Sequence, residues 1–191
     1  MRRTRNPFPA LAVALALGAA PVSGQSLSAK AERDAKVDEL LAELAQPDLP
    51  TWQAVEQKIF TAWEKSGSDT VDLLLSRGQK ALDAEEFDKA VEHFSAAIDH
   101  APGFAEAYHG RASAYFQQEE FGLALSDLQH ALALNPRHFG AMNGMGIVLE
   151  QMGEYQLALD ILRIAQEINP HREAITESVE RLEHQLGEAR L

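Results

Sequence analysis

Cysteine is absent from all 191 residues. That removes disulfides, thiolate zinc sites, iron–sulfur clusters and a cysteine nucleophile together. Basic residues are short, with 17 Lys+Arg against 29 Asp+Glu and a net charge of −12. A nucleic-acid binder needs a basic surface to displace counterions, and adhesion to an anionic membrane needs the same. Long apolar runs are missing too. The longest, Ala10 to Ala20, covers about a dozen residues, short of the roughly 20 that span a bilayer. What remains is ordinary: 46% hydrophobic and 24% charged, a composition that excludes disorder throughout and a length that admits one or two domains.

The first residues read as an export signal. Arg2, Arg3 and Arg5 open the chain, no acid precedes Glu32, and the short apolar run ends in small residues, Val22-Ser23-Gly24. A positive start, a short apolar middle and a small-residue exit define a secretory signal peptide over 1–24, cut between Gly24 and Gln25. Cleavage removes three arginines and no acid, so the mature net charge becomes −15. Without cysteine the new terminus cannot be lipidated. The expectation is a periplasmic protein, soluble and not a lipoprotein, with no stable membrane anchor.

A period of 34 organises the rest. Pro102, Pro136 and Pro170 recur at that interval, as do Ala90, Ala124 and Ala158, and Ala97, Ala131 and Ala165. Phe94, Leu128 and Leu162 repeat a large apolar residue, Gly78, Ala112 and Gly146 a tiny one, and Phe87, Phe121 and Tyr155 an aromatic. A fixed period of this length marks a solenoid whose units bury their faces against neighbours. Apolar residues within each unit follow helical spacing. Each unit is therefore two helices, with turns near Ala84–Glu86, Glu119–Phe121 and Gly153–Tyr155. The tiny residues let the helices approach, and proline ends the second helix of each pair.

This pattern resembles the tetratricopeptide repeat family. The resemblance rests on those small residues, the large apolar series and the three prolines, and covers 71–172. It implies an all-α, right-handed α-solenoid with repeats at 71–104, 105–138 and 139–172. Arg77 and Arg111 stand where leucine is frequent, and Ala81 lacks the aromatic that Tyr115 supplies one unit later.

The flanks read as caps. Residues 173–191 carry Ile175, Val179, Leu182 and Leu186 at helical spacing, an amphipathic helix suited to covering the last repeat. Within 25–70, Val37, Leu40, Leu41 and Leu44 form one helix stopped by Pro47 and Pro50. Trp52, Val55, Ile59, Phe60 and Trp63 form a second. The pair reads as a diverged N-terminal cap, with 25–30 a loose terminus.

Catalytic signatures are lacking. No Gly-rich phosphate loop, Gly-x-Ser-x-Gly turn or His-Glu-x-x-His helix is present. The seven histidines, among them His93, His100, His109, His138 and His171, read as structural helix-surface residues, so no enzyme activity, no cofactor and no dedicated metal site are expected. Glu85-Glu86 and Glu119-Glu120 read as solvated turn residues that start second helices.

Stacked helix pairs create a concave face. The resemblance implies that the first helix of each pair lines it and that it receives an extended peptide or a partner helix. Transferred position by position, the groove comprises Asp72, Leu75, Gln79 and Asp83, then Glu106, His109, Ser113, Phe116 and Gln117, then Asn143, Ile147, Glu150 and Gln151. Four carboxylates stand there with no Lys or Arg at these positions, beside apolar Leu75, Phe116 and Ile147. Family members that grip chaperone tails clamp a C-terminal carboxylate with lysines and an asparagine. Here Leu75, Gln79, Gly110, Gly140 and Gly144 occupy those places. An acidic tail would meet like charge, so the expected partner is a neutral-to-basic segment of a cell-envelope protein. Alternatives are a homodimer formed through the edge repeat or the Trp52/Trp63 pair, a groove filled by the chain's own N-terminal helices, and, least favoured, a metal carrier or enzyme.

Overall fold

The computed structural model describes residues 24–188, with side chains from 31 onward. The expected signal segment lies outside the described residues except for Gly24. The described chain is all-helical: α1 (Gly24–Leu44), α2 (Trp52–Trp63), α3 (Asp69–Asp83), α4 (Phe87–His100), α5 (Ala105–Gln117), α6 (Phe121–Leu134), α7 (Phe139–Gln151), α8 (Tyr155–Ile168) and α9 (Glu173–Glu188). No helix among the described residues is long and apolar enough to cross a membrane.

The pairs α3/α4, α5/α6 and α7/α8 are the three repeats, and the period sets their cores. Ala90, Ala124, Ala158, Ala97, Ala131 and Ala165 are fully buried at the helix crossings. Phe94, Leu128 and Leu162 fill the space beside them. Phe94 lies against both Gly78 of its own repeat and Gly110 of the next, and an added Cβ would come within 2.6 and 2.4 Å of the ring. Asn135 and Asn169 close the second and third repeats alike, each Oδ1 accepting from the backbone N–H two residues on, Arg137 and His171. These asparagine turns carry the chain past the proline into the next helix.

The start of α1 differs from expectation. Residues 25–30, read as a loose terminus, belong to α1; the stretch contains neither Pro nor Gly and is built of residues a helix accepts. The pair α1/α2 also does not spend its apolar face capping the first repeat. Val37, Leu40, Leu41 and Leu44 of α1 and Val55 and Ile59 of α2 share one core with Phe139 and Met142 of α7 and Ile175, Val179 and Leu182 of α9. Polar ties fasten the same join. Glu56 accepts from Arg172 Nε at 2.6 Å and from Asn169 Nδ2 at 2.7 Å, and His171 Nε2 lies 3.1 Å from the Leu44 carbonyl. Asp38 pairs with Arg137. Helix α9 covers the third repeat through that same core, as a closing helix should.

Candidate partner-binding groove

Helices α3, α5 and α7 present their inner faces to one concavity. Asp72, Leu75, Gln79 and Asp83 of α3 meet Glu106, His109 and Ser113 of α5 around a cavity of about 430 Å³. A smaller, more apolar cavity of about 170 Å³ continues from it, with Phe116, Gln117 and Ile147 over Leu128 and Gly144. His109 and Ser113 belong to both, so ten of the thirteen expected positions line one groove. Asn143, Glu150 and Gln151 line neither cavity. Ile147 is 38% exposed although it is a large aliphatic residue, and Phe116 is half-buried against Phe121. The groove wall is thus apolar toward α7 and polar toward α3.

Charge is where the sequence expectation needs correction. Neighbours outside the thirteen positions already hold two of the four carboxylates. Asp72 accepts from the Ser66 backbone N–H and hydroxyl at 2.8 and 2.6 Å, with Lys65 3.9 Å away. Glu150 is held by Arg181 of α9 at 2.6 Å. Glu106 is buried, 2.7 Å from His138 Nε2. Asp83 accepts from Gln79 Nε2 at 2.8 Å and stays exposed, and Lys80 joins it on the rim. The larger cavity nonetheless keeps four acids, Glu64, Asp72, Asp83 and Glu106, against Lys65 and Lys80.

His138 is the second correction. It is not a helix-surface residue but fully buried at the N-cap of α7, where its Nδ1 accepts from Ala141 N–H at 3.1 Å. Trp63 lies over it with ring centroids 4.6 Å apart, and Phe60 and His109 approach at 6.3 and 4.7 Å. Burial holds its imidazole below the ordinary value, against the pull of Glu106. Burial alone would raise the Glu106 carboxyl, but the facing imidazoles His109 and His138 outweigh it and keep the group well below the usual carboxylate range. The Glu106-x-x-His109 spacing on one helix face was visible in the sequence. His138 joins them only because the repeat places the start of α7 beside the start of α5.

The Trp52/Trp63 pair, weighed as one alternative surface for self-association, makes contacts within the chain. Trp52 stacks on His171 at 5.8 Å and Trp63 packs on Phe139 at 5.5 Å.

Three stacked helix pairs with an open inner groove define a helical-repeat scaffold of the kind that presents a concave surface. The tetratricopeptide repeat model matches residues 75–129 and 111–173, together just over half the chain, and the chain belongs to that family. Among solved structures, MamA is 25% identical, with a TM-score of 0.59 over 71% of this chain and 81% of its own. The first repeat domain of Spaghetti (RPAP3), bound to an HSP90 peptide, is 24% identical, with a TM-score of 0.61 over 63% and 95%. The Sgt2 domain from Aspergillus fumigatus is 23% identical, with a TM-score of 0.61 over 64% and 83%. No curated protein matches the chain at a significant level.

Proposed function

We propose that this chain is an exported, periplasmic interaction module whose groove over α3, α5 and α7 holds a neutral-to-basic peptide or helix of a cell-envelope partner. The observation that carries the reading is the continuous groove in which exposed Ile147, with Phe116 and Leu75, lines a wall that solvent alone would not select. Spaghetti holds an HSP90 peptide in a repeat domain of this fold, which supports peptide capture as the mode. An acidic tail is disfavoured because the clamp positions carry Leu75, Gln79 and three glycines. The apolar wall of the smaller cavity suits an aliphatic side chain beside Gly144.

Capture from a periplasmic fraction tests this. Phe116→Ala and Ile147→Asp change the groove wall without touching the buried Glu106. The expected result is a partner retained by the wild-type chain and lost by both variants at unchanged melting temperature. Identical capture by all three chains would empty the groove of this role. Fractionation of cells expressing the full chain tests export separately.

A second reading, self-association, is favoured by α8 rather than by the tryptophans. Leu157 and Ile164, seven residues apart on that helix, are 55% and 46% exposed. Light scattering at twice the chain mass, abolished by Leu157→Glu, would support it.

A further inference from the structure

We propose that Glu106, His109 and His138 form a zinc site at the head of the groove. One ligand atom from each lies within 4.8 Å of the others. Two imidazoles and a carboxylate are a donor set that suits zinc, leaving a further position open. Glu106 and His109 stand three apart on α5 and so share one face, while His138 arrives from the N-cap of α7. His138 is fully buried and Glu106 is 8% exposed. His109 is half-buried and opens onto both groove cavities. The open position therefore faces the groove.

A second, independent observation points to a ligand. Glu106 Oε1 and His138 Nε2 are both buried and without a hydrogen-bond partner, although they lie 2.7 Å apart. At that distance a hydrogen bond fails only when the oxygen sits well off the ring N–H axis. Two ligands of one ion stand in such an off-axis relation, each aimed at a shared point instead of at the other. Buried polar atoms left unpaired are costly and rare. Glu106 Oε2 lies 3.8 Å from His109 Nδ1, which completes the three-sided arrangement. Trp63 and Phe60 cover His138 on the side of α2, giving the dry shell in which ligand bonds are strongest. Glu64, on the wall of the same cavity, has its carboxyl raised by burial and by the charge of Glu106. A divalent cation relieves that repulsion.

The site has a cost, and the cost gives it a signature. Ala141 N–H donates to His138 Nδ1, which places the ring proton on Nε2. Zinc ligation through Nε2 moves that proton to Nδ1 and releases the Ala141 amide from its acceptor. Zinc loading and the N-cap of α7 therefore compete.

The test uses the purified chain without an affinity tag, dialysed against Zn²⁺, and Co²⁺ as a spectroscopic substitute. Expected are about one zinc per chain by elemental analysis, visible d–d bands with Co²⁺, and faster hydrogen exchange at Ala141 on loading. His138→Asn keeps a cap acceptor and removes the ligand, and Glu106→Gln removes the charge. Each should weaken zinc binding by about ten-fold or more. Should either buried variant fail to fold, His109→Gln at the half-buried position carries the same readout. No stoichiometric zinc in the wild type, or zinc uptake unchanged in the folded variants, overturns the proposal. Because zinc binding is read without any partner, this result stands or falls apart from the groove's occupant.

Discussion

Arg111 grips Asp127 with two parallel hydrogen bonds, Nε to Oδ2 at 2.7 Å and Nη2 to Oδ1 at 2.8 Å. Its remaining nitrogen donates to Ser95 Oγ at 3.0 Å, and the rings of Tyr108 and Tyr115 lie 5.9 and 5.8 Å from the guanidinium carbon. One side chain thereby ties α5 to α6 of its own repeat and to α4 of the repeat before. This accounts for arginine at a position where the family often has leucine: the cation has a bidentate partner and two aromatic walls. Truncating one partner strands the other charge at low exposure, so Asp127→Ala should cost about 3 kcal/mol. Replacing both residues with leucine should recover most of that loss. Urea denaturation of the wild type and the two variants measures it, and a loss below about 1 kcal/mol in Asp127→Ala would contradict the account.

Glycines of this solenoid should respond to alanine with opposite signs. Helical Gly→Ala ordinarily gains about 0.5–1 kcal/mol. At Gly122, where a new Cβ meets nothing within 4 Å, that gain should appear. At Gly110 the Cβ would lie 2.4 Å from the Phe94 ring, a buried ring wedged between Gly78 and Gly110. Overpacking should then dominate, at about 1–3 kcal/mol of loss. Thermal melts of the two variants compare them directly, and equal shifts would refute the wedge.

The inter-helix turns store strain at equivalent positions. Glu85, Glu119 and Gly153, spaced by the period, have φ of 59°, 61° and 80°. Only the third repeat uses the residue that adopts this region without penalty. Glu85→Gly and Glu119→Gly should each stabilise by about 1 kcal/mol, and Gly153→Glu should destabilise by a similar amount. Denaturation midpoints moving the other way in the first two variants would show that the glutamates make compensating contacts.

The repeats were legible because their signal is local and triplicated. Phe94, Leu128 and Leu162 announce one packing role three times, and the glycines they pack on lie within one period. Ten groove positions followed for the same reason, since a repeat fixes which face of its first helix turns inward. The paired state of the groove was not legible. Glu150 meets Arg181 from a helix outside the repeats, and Asp72 is capped by Ser66 from a connecting turn. The docking of α2 was hidden likewise. Glu56 carries no pattern of its own in the sequence, and its partner Arg172 is more than a hundred residues away. Apolar periodicity tells that a helix has a face to bury but not against what.

That docking yields the last prediction. Both tryptophans of the chain lie on α2, so fluorescence reports the N-terminal pair while circular dichroism reports mainly the repeats. In the wild-type chain Leu44 and Ile59 are fully buried in the core shared with α7 and α9, and the two signals should fall together in urea as one cooperative unit. Leu44→Ala removes some of that core and should cost about 2–5 kcal/mol. Glu56→Ala leaves the apolar contacts in place but strips Arg172 and Asn169 of their shared acceptor. It should lower the fluorescence midpoint ahead of the dichroism midpoint, because a solenoid is held together by neighbour interfaces that can open separately. Coincident midpoints in Glu56→Ala would mean that the apolar core alone fastens the pair, and that the glutamate serves only to satisfy the buried Asn169 and the half-buried Arg172.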